Sequence, residues 1–101
     1  RPELIEARVA AARSERERLA AALSRLPGVE VFPSVTNFVL FRVPDAARVH
    51  AGLLERGVVI RRQDHLPGLD GCLRVSVGLP GENDAFLTAL EGVLVAEAAR
   101  G

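Results

Sequence analysis

The chain has 101 residues, 49% of them apolar and 26% charged, which suits one globular domain and excludes an intrinsically disordered segment. Thirteen basic residues balance thirteen acidic ones, so net charge gives no reason to expect nucleic acid or an anionic membrane as a partner. The one cysteine, Cys72, has no internal disulfide partner and fits a reducing compartment, the cytoplasm being the expected one; no apolar run reaches the roughly 20 residues that span a bilayer.

Residues 2–26 carry the helical period. Ile5, Val9, Ala12, Leu19, Leu23 and Leu26 form an apolar stripe interrupted at Arg16, so a long amphipathic helix is expected. Its middle, Arg13 to Arg18, mixes charges of both signs and reads as a solvated face, with Arg13 and Glu17 one turn apart. Pro27-Gly28 ends the helix, because proline disfavours helical geometry before it and glycine tolerates positive φ. Short β segments follow at 29–32 and, past Pro33-Ser34, at 37–43. Asp45 is the expected N-cap of a helix over 46–56 that sets Val49, Leu53 and Leu54 on one side, and Gly57 its C′ residue. Residues 58–62 form a strand, 63–71 a loop built on Pro67-Gly68 and Asp70-Gly71, and 73–77 another strand closed by Gly78. Pro80 opens a last helix, whose Phe86, Leu87, Leu90, Val93 and Leu94 form its apolar stripe.

The order αββαββα implies a single α+β domain over residues 1–101. The expected architecture is a two-layer sandwich: a small, mostly antiparallel sheet of split βαβ type with helices on one face. Segment 73–77 slots between 37–43 and 58–62.

Alternation along a strand separates its two faces. Leu73, Val75 and Val77 must face the helices, which puts Arg74 and Ser76 on the open face. The same logic sends Val58 and Ile60 inward and Arg61 outward. Two guanidiniums on neighbouring strands make an anion clamp, each planar fork matching two oxygens of a phosphate or carboxylate; ordinary surface ion pairs are the other reading. Arg62 falls on the helix side or frays into the loop. His50 and His65 lack a second ligand at metal spacing, and Cys72 reads as a small buried filler. Ser34 and Ser76 have no nucleophile-elbow context, and Ser14-Glu-Arg-Glu17 resembles a capping box only by chance within a helix. Asn37 either points into a site or forms an Asx turn entering its strand. All the basic residues are arginine, so chemistry that needs a lysine amine lies beyond this chain alone. With no methionine, Arg1 is not a start residue, and the expectation is a piece of a longer protein that ends near Gly101.

The motifs, taken in order, resemble a known family. Leu26-Pro-Gly-Val-Glu-Val-Phe-Pro-Ser34, Thr36-Asn-Phe-Val-Leu-Phe41, Gly57-Val-Val-Ile-Arg61, Pro67-Gly-Leu69, Gly71-Cys-Leu-Arg-Val-Ser-Val-Gly78 and Glu82-Asn-Asp84 are similar to the C-terminal small domain of histidinol-phosphate aminotransferases. These are fold-type-I relatives of the class I and II aminotransferases and of threonine-phosphate decarboxylase. The resemblance implies pyridoxal phosphate as cofactor, amino transfer between histidinol phosphate and 2-oxoglutarate in histidine biosynthesis, and a homodimer. It also implies that Arg61 and Arg74 hold the anionic tail of the substrate; Asn37 matches a family position as a minor site contact. The partners implied are the large domain of the same chain and an anionic small molecule. The Schiff-base lysine and the cofactor cradle belong to that large domain, so the isolated chain is expected to be inactive, with no catalytic, cofactor or metal residue of its own. Two departures stand out: Gly78-Leu-Pro-Gly-Glu82 lacks the family's threonine before the last helix, which implies a weaker helix start, and Arg61-Arg62 replaces a common Arg-Asp. Small domains of related pyridoxal-phosphate enzymes, or a free-standing ferredoxin-like anion-binding module, are the alternatives.

Overall fold

Helix α1 (Pro2–Ser24) runs well past the body of the domain. In the computed structural model, which describes residues 2–34 and 36–100 and the side chains from residue 6 onward, only its second half is packed. Leu19 and Leu23 are fully buried, Leu26 packs at the edge of the core, and Val9 is 54% exposed. The stripe expected from periodicity is therefore half a core face, with Val9 and Ala12 exposed along a groove under the helix. Ile5, the first member of the stripe, has a side chain outside the described residues. The helix also stops two residues earlier than expected, and Arg25 and Leu26 continue it as a hydrogen-bonded turn before Gly28 at φ +78°.

The charged middle of α1 is not simply a solvated face. Its ion pair joins Glu15 to Arg18 (2.6 Å) rather than Arg13 to Glu17, and Arg18 reaches on to Asp84 (2.8 Å). Arg16 is half-buried and donates from Nη1 to the Thr36 carbonyl (3.1 Å), holding the segment that leads into the sheet.

The sheet contains β1 (Glu30–Val31), β2 (Phe38–Arg42), β3 (Arg61–Arg62) and β4 (Cys72–Ser76) in the order β1-β2-β4-β3, every neighbouring pair antiparallel. β2 and β3 thus run the same way with β4 between them, the split βαβ arrangement expected from the order of elements. Helices α2 (Ala46–Glu55) and α3 (Pro80–Ala99) join α1 on one face. Val39 and Phe41 of β2 and Leu73 and Val75 of β4 point into that layer and are buried, while Phe38, Leu40, Arg42 and Arg74 look the other way. Phe41 meets Phe86 of α3 edge-on at 6.0 Å and 64°, a contact worth about 0.5–1.5 kcal/mol beyond the area it buries. Among the described residues no helix is long and apolar enough to cross a membrane.

The caps follow the sequence closely. Asp45 accepts from the Arg48 backbone N–H at 3.1 Å, and Gly57 ends α2 at φ +79°, a conformation costly for a residue with a Cβ. Leu54, however, is 53% exposed, so α2 buries a narrower face than expected, led by Val49 and Leu53. In α3, Phe86, Leu90 and Val93 are buried, with Leu87 and Leu94 packed beside them.

The third strand is much shorter than the five residues read from the sequence: residues 58–60 rest against α2 and do not pair with β4. The Val58 N–H bonds the Leu53 carbonyl (2.9 Å), and the His50 imidazole donates from Nε2 to the Ile60 carbonyl (3.0 Å). His50 is consequently a strut between α2 and the approach to β3.

A candidate anion-binding site on the open sheet face

Arg61 and Arg74 are direct cross-strand partners in the β3–β4 ladder, and Leu40 faces Arg74 from the other side. Direct partners share a face, so the alternation argument is correct in placing both arginines on the side away from the helices. The loop between them is tightly built. Gln63 N–H bonds the Cys72 carbonyl, and three further turns, at Leu66, Leu69 and Cys72, fold 63–72 back on itself. Arg42 adds an external tie, donating from Nε to the Asp70 carbonyl at 2.8 Å.

Like charges directly opposite in a ladder are destabilising, so each arginine near this pair needs an account. Arg62 is neutralised within two residues: its Nε and Nη2 meet the two oxygens of Asp64 at 2.9 and 2.6 Å. That pairing holds the Asp64 carboxyl below its ordinary range and raises Arg62. It also settles the local charge balance that Arg61-Arg62 raises, since the second guanidinium brings its own acid and turns away from the clamp. Arg42 is likewise occupied, by Glu30 at 2.9 Å across the β1–β2 pair. Among the described residues no carboxylate lies within ion-pair distance of Arg61 or Arg74. Surface ion pairing among the described residues therefore does not explain these two, which leaves two unmatched positive charges on adjacent strands.

Both line a cleft of about 440 Å³ where the splayed segment 58–60 leaves the edge of β4 open, with Ser76 and Glu82 also on its wall. The Glu82 carboxylate is engaged with the Leu79 N–H at 2.8 Å and is not a counter-ion for the clamp. Larger concavities lie under α1 and between α2, α3 and the turn after α1, and neither brings the two arginines together.

Asn37 is not in this cleft. Its carbonyl accepts from the Val77 N–H at 2.8 Å, and it lines the groove under α1 beside Arg16. The loop before β2 is organised instead by Ser34, whose hydroxyl bonds the Phe38 carbonyl and lies 3.3 Å from the Thr36 N–H. A serine two residues before a turn is a legible signal for this, and screening Ser34 only as a nucleophile misses it. Cys72 is fully buried, as expected of a filler, and His65 is exposed beside the Arg62–Asp64 pair.

Asn83 is a second residue that sequence reasoning passes over. It is 2% exposed and joins α3 to α1 and to the loop after β4: Oδ1 accepts from the Gly78 N–H (2.9 Å), and Nδ2 donates to the Gly78 carbonyl (3.0 Å) and to Glu15 (3.1 Å). With Glu82 holding the Leu79 N–H, the start of α3 keeps two side-chain bonds despite the missing threonine. The end of β4, and with it the far wall of the cleft, is anchored by these contacts.

Comparison with known proteins gives consistent matches. The sequence family described as aminotransferase class I and II matches residues 2–90. The histidinol-phosphate aminotransferase of Deinococcus radiodurans is 53% identical over 89 residues, covering 88% of this chain and 25% of that protein. Among solved structures, the histidinol-phosphate aminotransferase from Clostridium acetobutylicum superposes with a TM-score of 0.77 at 32% identity, over 83% of this chain and 26% of that one. The L-threonine-O-3-phosphate decarboxylase from Porphyromonas gingivalis does so with a TM-score of 0.77 at 36% identity, over 82% and 27%. The chain spans about a quarter of the length of the curated relatives it matches.

Proposed function

This chain belongs to the class I and II aminotransferase family, and from that premise we propose that it is the substrate-clamping C-terminal domain of a pyridoxal-phosphate-dependent histidinol-phosphate aminotransferase. The enzyme would pass an amino group between L-histidinol phosphate and 2-oxoglutarate, giving imidazole acetol phosphate and glutamate, as a homodimer whose large domain completes the site. The observation that carries this reading is the Arg61–Arg74 cross-strand pair, both on the open face and neither matched by an acid among the described residues.

Arg74 binds the anionic end of the substrate through the in-plane N–H groups of its guanidinium, and Arg61 adds the second positive charge across the ladder. Phosphate and carboxylate tails present the same paired oxygens to such a fork, so one clamp serves both the phosphorylated donor and the dicarboxylate partner. Closing this face over the reacting end of the substrate would exclude water and fix its distance from the chemistry. Pyridoxal phosphate, when bound, supplies the electron sink for amino transfer. The residues of this chain do not fit it as a cofactor site. The chain has no lysine to anchor it, and the free cations of the open face suit a substrate tail.

The test uses the full-length enzyme. Purified protein should show the visible absorbance of bound pyridoxal phosphate and turn over histidinol phosphate with 2-oxoglutarate. Arg74→Ala should then lower kcat/KM roughly 10- to 150-fold, the value of one charge-assisted contact. Unaltered kinetics in that variant would overturn the assignment. Bound cofactor without transamination would favour decarboxylation of a phospho-amino acid, the activity named for the structural neighbour from Porphyromonas gingivalis. Family membership favours either over a free-standing binding module.

A further inference from the structure

Two arginines of the open sheet face lie over phenylalanine rings, and they differ in one respect. The guanidinium carbon of Arg42 sits 5.1 Å from the centre of the Phe32 ring, while its in-plane N–H groups hold Glu30 and the Asp70 carbonyl. The guanidinium carbon of Arg74 sits 4.8 Å from the centre of the Phe38 ring, and among the described residues its in-plane N–H groups hold no carboxylate. Stacking uses the face of a guanidinium and leaves its edge free, so Arg42 displays within this protein what Arg74 is arranged to do once an anion is present.

We propose that Phe38 is the positioning residue for Arg74: its ring holds the guanidinium plane, so that the fork meets the anionic tail of the substrate already oriented. The register explains the contact. Arg74 is opposite Leu40 and Phe38 is opposite Ser76, which makes Phe38 the diagonal neighbour of Arg74 on the same face, within reach of an aromatic ring. Phe38 is half-buried and points away from the helical layer that takes Val39 and Phe41. A ring is better suited to this place than an acid. A carboxylate would hold Arg74 equally well, but it would occupy the donors and compete with the substrate. An arginine with no support would lose side-chain freedom on binding, which weakens affinity.

The inference rests on the proposed clamping role of Arg74, and its experiment separates the two. In the full-length enzyme, Phe38→Leu removes the π face while keeping an apolar side chain. KM for histidinol phosphate should rise about 2- to 30-fold, the range of a cation–π contact, with the change carried by KM rather than kcat. The preference for histidinol phosphate over unphosphorylated histidinol should shrink by the same factor, which general loosening of the sheet would not cause. Phe38→Trp should restore or tighten binding, read independently as the inhibition constant of inorganic phosphate. In an Arg74→Ala background, Phe38→Leu should add nothing further. An unaltered phosphate preference in Phe38→Leu, together with a defective Arg74→Ala, would overturn this inference and leave the clamp standing. An unaltered Arg74→Ala would remove both. If Phe38→Leu fails to fold, weaker phosphate inhibition in Phe38→Trp would count against the proposal.

Discussion

At the scale of single residues, the polar side chains fall into those that carry their partner with them and those that do not. Arg62 has Asp64 two positions away, and Arg42 has Glu30 across a ladder; among the described residues no acid pairs with Arg61 or Arg74. Asn83 is the opposite case, a buried amide with every bond made inside the domain. Replacing it with alanine strips partners from both backbone groups of Gly78 and from Glu15, and leaving a buried group unsatisfied costs about 1–3 kcal/mol. Asn83→Ala should therefore lower unfolding stability by about that amount in a urea titration. Asn83→Asp should do no better at neutral pH, because it sets a second carboxylate beside Glu15. An Asn83→Ala chain as stable as the parent would mean that water replaces the amide freely.

At the scale of elements, α2 and α3 pack tightly where α2 has no side chain. A Cβ on Gly52 would stand 2.9 and 3.0 Å from the two γ carbons of Val93, so something must move. Alanine in a helix is favoured over glycine by about 1 kcal/mol, but overpacking a core costs about 1–3 kcal/mol. Because Val93 is 2% exposed and wedged between helices, the steric cost should win, and Gly52→Ala should melt lower than the parent. Val93→Ala in the same chain should recover part of the loss, giving a favourable coupling in a double-mutant cycle. Simple additivity of the two changes would show that the helices separate without strain. The segment before β3 is also tied to α2, through His50 to the Ile60 carbonyl and the Leu53 carbonyl to the Val58 N–H. The cleft beside Arg61 and Arg74 exists because that strand is short.

For the molecule as a whole, zero net charge hides a network that ties the first helix to the last. Arg18 and Asn83 both bond Glu15, Arg18 first in strength, and together they lower its proton affinity; Asp64 is lowered in the same way, first by Arg62. A carboxyl depressed in the folded state stabilises the fold above its unfolded pKa, and that stability disappears as pH falls through the folded value. The melting temperature should thus hold from pH 7 down to about 5 and fall as the pH drops below about 4.3, the ordinary glutamate value. Glu15→Gln should start lower at pH 7 and fall less steeply on acidification. Parallel curves for the two proteins between pH 5 and 3 would show that Glu15 contributes nothing to the acid transition.

Most of the elements were legible in the chain because their causes are local. Asp45 caps within three residues, Gly57 relieves its own backbone, and the alternation of Leu73, Arg74 and Val75 assigns faces whatever the sheet later pairs with. The pairing of Arg61 with Arg74 could be reached from that alternation, and the family resemblance pointed to the same two residues. Periodicity states which residues share a face and is silent on what covers that face, so Val9 and Leu54 read as core yet lie in solvent. That residues 58–60 rest against α2 instead of pairing with β4 is likewise a matter of tertiary contact, which is why the shortness of the third strand could not be read in advance. Asn83 under α1 and Phe38 beneath Arg74 depend on where separate elements come to rest. Local chemistry thus decided the elements and the two cations, and packing decided which cations remained free and what holds one of them in place.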